Sequence, residues 1–137
     1  MTVPAGIGLV DAALTGAWSA LRAPLWLRGD RWRELLVPPA EGRPGARAPR
    51  GTVRAALTGV RALSAVPGSP WKNTCLYRSV AECLALRRYG VPAVVRIGVR
   101  PGQAADETPI VAHAWVVADP AAEPPPPDRM NPFSLRA

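Results

Sequence analysis

Cys75 and His113 are the two residues of this 137-residue chain that together could break an amide bond; His113 is its sole histidine. A thiol attacks as its thiolate, and a free cysteine holds its proton up to a pH of about 8.5. Two features lower that barrier. Cys75 stands where a helix is expected to start, after Asn73 and Thr74, either of which can cap it. The unpaired amides and partial positive charge of a helix N-terminus favour an anion there. An imidazole within reach can take the proton as general base. His113 lies in the run Ile110–Val117 (IVAHAWVV), where strand alternation sets it on one face with Val111, Trp115 and Val117. A base on a rigid strand facing a helix start is what Cys–His hydrolases need.

The second cysteine does not add a metal or a disulfide to this picture. Cys83 lies eight residues after Cys75 on the same expected helix, about 12 Å along its axis, too far for a bridge. Two such cysteines and one histidine fall short of a tetrahedral zinc set, and no cofactor or metal is expected. Cys83 falls on the apolar stripe and reads as a small buried hydrophobe. With both thiols reduced, the expected compartment is the cytoplasm.

The elements around these residues divide the chain. Leu9–Leu21 repeats Val10, Leu14, Ala17, Trp18 and Leu21 at helical spacing, with Pro24 as its stop. A short helix capped by Asp30 follows through Leu36 and ends at Pro38-Pro39. Residues 38–50 hold four prolines and two glycines and read as a loop or linker. A second helix carries Val53, Ala56, Leu57, Val60 and Leu63 on one stripe, closed by Pro67-Gly68. The helix from Cys75 ends in Arg87-Arg88, then Gly90 and Pro92. Ala93–Val99 and Ile110–Val117 read as strands of a hairpin joined by a polar connection, 100–109. The proline-rich stretch after Ala118 is incompatible with a helix or a central strand. The expectation is one α+β domain over 1–137: a helical part (1–37), a linker (38–50), a core (51–119) and a tail (120–137).

Bulk composition narrows the class. Nearly half the residues are apolar, as in a folded protein. The formal charge is +7, and the basic residues are arginines except for Lys72. Five arginines and no acid lie between Arg43 and Arg61. That stretch could attract an acidic peptide, a nucleic acid or an anionic surface. It lacks the interleaved aromatics of a nucleic-acid platform. No apolar run reaches the length needed to span a bilayer, and no secretion signal is recognised at the N-terminus.

The stretch from Cys75 to Val116 also carries a series of linked motifs. They are Cys75-Leu76, Arg78-Ser79, Arg87-Arg88, Gly90-Val91-Pro92-Ala93, Ile97-Gly98-Val99 and His113-Ala114-Trp115-Val116. In this order they resemble the core of the stand-alone lasso-peptide leader peptidases, within the transglutaminase-like cysteine protease superfamily. The resemblance implies a transglutaminase-like or papain-like core, in which the helix bearing the cysteine packs on a small antiparallel sheet. It implies a Cys-His-acid triad in which Cys75 and His113 carry over directly. The acid does not. Asp119 sits at the strand end, Glu123 is nearest in register after a small deletion, and Asp128 lies beyond four prolines. A Cys-His dyad oriented by a backbone carbonyl is the remaining option.

The implied reaction is removal of the leader from a lasso-peptide precursor. The implied partners are a separate leader-recognition protein that presents the precursor and an ATP-dependent cyclase that closes the macrolactam. Two rivals share these residues. One is a transglutaminase-type acyltransferase that passes the acyl group to an amine. The other is a non-enzymatic basic adaptor for acidic peptide or nucleic acid.

Overall fold

The structure, a computed structural model, describes residues 8–39, 47–66, 75–102, 105, 109–123 and 131–132. Three helices form one layer: α1 (Leu9–Arg28), α2 (Arg50–Ser64) and α3 (Cys75–Arg88). They pack on one another, and α3 packs on a hairpin of β1 (Val94–Pro101) and β2 (Ile110–Val117). A two-residue strand β3 (Asn131–Pro132) pairs antiparallel with the other side of β1, so the sheet order is β2-β1-β3. The α+β expectation and the hairpin hold. The proline-rich tail departs from its expected form once, where Pro120–Ala122 makes a single 3-10 turn; Asn131–Pro132 is extended on a sheet edge, as a stretch barred from a central strand can be. A proline at the start of a 3-10 turn leaves no helical donor missing, and Pro132 sits in an edge strand, where its lost donor is tolerated.

The end of α3 shows why the hairpin starts where it does. Gly90 adopts φ 77°, the left-handed conformation that glycine reaches without a Cβ clash. Val91 N–H then donates to Leu86 O at 3.1 Å and Gly90 N–H to Arg87 O at 3.2 Å, which closes the helix. Arg87 does more than face the helix dipole. Its guanidinium donates to Ala93 O at 2.8 Å, Val37 O at 2.6 Å and Glu34 O at 3.4 Å. It thereby ties the Asp30–Leu36 3-10 turn to the entrance of β1. Ala48 N–H donates to Tyr89 O at 3.0 Å, which anchors the segment leading into α2 at the same corner.

The α1 helix and the turn after it correct the sequence reading in two respects. It runs through Pro24 to Arg28. Ala23 is buried and Trp26 and Leu27 pack on the core, so tertiary contacts hold the turn that follows the proline despite its missing donor. Asp30 is not a cap, because it lies inside the 3-10 turn and pairs with Arg33 at 3.8 Å. The buried face of α1 is made of small residues: Ala12, Gly16, Ser19, Ala20 and Ala23 face inward. Leu14, Trp18, Leu21 and Leu25 are exposed, with Trp18 at 60%. Close approach to α2 explains this face. A methyl group on Gly16 would run into the backbone of Ala56, and one on Gly59 into that of Ala13. Helices this near each other admit small residues alone.

The core beneath the site is built from Val60 of α2, from Val80, Ala81, Cys83, Ala85 and Leu86 of α3, and from Val91, Ala93 and Val95. Leu35 of the 3-10 turn closes it at one end.

Candidate active site

Cys75 opens α3 and is half-buried. Asn73 and Thr74, the expected caps, lie outside the described residues. The helix that follows presents Arg78, Ser79 and Glu82 on the same side as Cys75, since residues three, four and seven positions on share a helix face. Those three line one wall of a cavity of about 350 Å³; His113, Ala114, Trp115 and Val116 of β2 line the other, and Arg61 of α2 closes one side. Cys75 itself lies one turn before Ser79, roughly 6 Å along the axis from this wall.

The register fixes how His113 is presented. It pairs with Gly98, on the face that Val94, Arg96 and Trp115 share, while Val95, Ile97 and Val116 take the face packed on the helical core. β2 is an edge strand, and residues of both its faces line the cavity, His113 and Trp115 from one and Ala114 and Val116 from the other. The His113 and Trp115 rings stack at 6.2 Å with 16° between their planes. This confirms the shared face expected from alternation and restricts the imidazole's orientation. Cys75 is not among the residues lining that cavity, and no hydrogen bond joins it to His113 among the described residues; what the structure brings to His113 is the turn of α3 that follows Cys75.

The acids are placed elsewhere. Asp119 is exposed and caps the following 3-10 turn, accepting from Ala121 N–H at 3.1 Å. Glu123 takes both carboxylate oxygens to Arg96, at 3.1 Å to Nε and 3.2 Å to Nη2. Neither reaches His113 among the described contacts, and Asp128 lies outside the described residues. The carboxylate that borders the imidazole's cavity is Glu82. Burial raises its pKa above the ordinary 4.5, against the opposing pull of Arg61 and Arg78. Its pairing with Arg61 is loose, at 3.8 Å. Glu82 went unnominated in the sequence, although its position seven residues after Cys75 places both on one helix face.

Cys83 is fully buried, and its thiol donates to Ala93 O at 3.4 Å. Burial pushes its pKa up to about 11, despite the nearby Arg87. It is therefore a packing residue, and of the two thiols Cys75 is the accessible one. No group of three or more His, Cys, Asp or Glu side chains that could hold a metal occurs among the described residues. No helix there is long and apolar enough to cross a membrane.

A cavity holding an imidazole, a hydroxyl, a carboxylate and two guanidinium groups suits a peptide carbonyl that becomes an oxyanion. A family model described as the transglutaminase-like superfamily matches residues 17–133. No curated protein and no solved structure matches.

Proposed function

Because the chain belongs to the transglutaminase-like superfamily, which includes cysteine peptidases and acyltransferases, we propose that it is the leader peptidase of a lasso-peptide pathway. The observation that carries the reading is that Cys75 begins a helix whose next turn shares a cavity with His113. The Cys75 thiolate attacks the scissile carbonyl, and amides at the start of α3 hold the oxyanion. His113 takes the thiol proton and gives it to the leaving amine. Water then releases the leader as a carboxylic acid. Asp119 is the more available of the two nominated acids, because Arg96 occupies both oxygens of Glu123. With neither recruited, the pair works as a dyad. In this scheme a separate leader-recognition protein presents the precursor, and an ATP-dependent cyclase uses the freed amine.

The test mixes purified protein, the leader-recognition protein and the precursor, with products read by mass spectrometry. Wild type should yield a leader fragment ending in a free carboxylate. Cys75→Ala and His113→Ala should each slow its appearance by about a thousandfold or more. Leader removal that survives both substitutions overturns the assignment. A product carrying a new amide instead identifies an acyltransferase.

A further inference from the structure

A second groove, of about 340 Å³, runs along α2. Ala48, Val53 and Leu57 line it together with Arg47, Arg50, Arg54 and Arg61. Arg47, Arg50 and Arg54 are exposed and make no ion pair among the described residues. Arg61 lines both this groove and the cavity of His113. From Arg50 to Arg61 the helix rises roughly 16 Å. An extended peptide covers that distance in about five residues, with side chains alternating between two directions. Such a segment can set apolar side chains on Val53 and Leu57 while its carboxylates meet the arginines. No aromatic side chain lines the groove on which a nucleobase could stack.

We propose that this groove is a substrate subsite for a short acidic segment with interspersed apolar residues, and that the segment passes Arg61 into the cavity of His113. The proposal rests on the peptidase reading for its substrate, but binding in the groove can be measured without turnover.

The experiment uses full-length Cys75→Ala protein and fluorescence anisotropy. The probes are a fluorescein-labelled peptide alternating Glu and Leu, its Ser-for-Glu and Ser-for-Leu counterparts, and an oligouridine of equal charge. The Glu-Leu peptide should bind at least about tenfold more tightly than the other three, a gap of about 1.4 kcal/mol. Arg50→Glu combined with Arg54→Glu should remove that preference and transfer it to a Lys-Leu peptide. The transfer shows that the variant is folded. The proposal is overturned if the neutral peptide or oligouridine binds as well as the Glu-Leu peptide, or if the preference survives the double substitution. It is also overturned if the double variant binds none of the peptides while its circular dichroism matches the parent. Tight, specific binding by a protein whose Cys75 form shows no cleavage would count against the peptidase reading alone.

Discussion

Glu82 is an acid placed where its charge is costly. Half-burial raises its pKa, so between about 4.5 and the raised value the folded chain binds more protons than the unfolded one. Stability therefore falls as pH rises through that window, and Glu82 is a liability at neutral pH that disappears in acid. Glu82→Gln should raise the urea midpoint relative to wild type at pH 7 and leave it nearly unchanged at pH 4. A gap of equal size at both pH values would show that the carboxylate is not desolvated. The residue-level legibility of the site follows from the same contrast. The candidates Cys75 and His113 stand out in the sequence because their types are scarce and chemically distinctive. Glu82 does not stand out, and Arg61 does so only as the end of a basic stretch, because a carboxylate and a guanidinium on helices are common and their convergence is a tertiary fact. Asp119 and Glu123 were nominated by sequence distance, which does not reveal that one caps a turn and the other binds Arg96.

Among the elements, α3 and the hairpin were readable because local chemistry sets their limits. Gly90 supplies the left-handed residue that ends α3, and alternation gives the faces of β2. The spacing of the large apolar residues of α1 marks a helix but not its buried face. Between α1 and α2 the governing term is backbone proximity, which excludes Leu14 and Trp18 and selects Gly16 and Gly59. Opposite outcomes are expected for two substitutions. Trp18→Ser should alter stability by no more than about 0.5 kcal/mol, as at other surface positions. Gly59→Ala gains about 1 kcal/mol in helix propensity, but its methyl group meets the Ala13 backbone. Overpacking costs of about 1–3 kcal/mol should outweigh that gain and lower the melting temperature. Thermal denaturation of both variants decides the matter. A stabilised Gly59→Ala protein would mean that the two helices are farther apart than described.

Across the whole molecule, the +7 charge is organised as well as large. Part of it forms the groove on α2, and Arg61 continues it to the cavity that also holds Arg78. If the chain is the proposed peptidase, hydrolysis in that cavity converts a neutral amide into an anion beside Arg61 and Arg78. On that reading the cut leader should bind more firmly than the uncut chain, and its escape should limit turnover. Progress curves should bend early through product inhibition, and added cleaved leader should slow the reaction as a competitor of the precursor. A leader amidated at its new end should inhibit less, and raising the ionic strength should relieve the block by weakening its hold on the arginines.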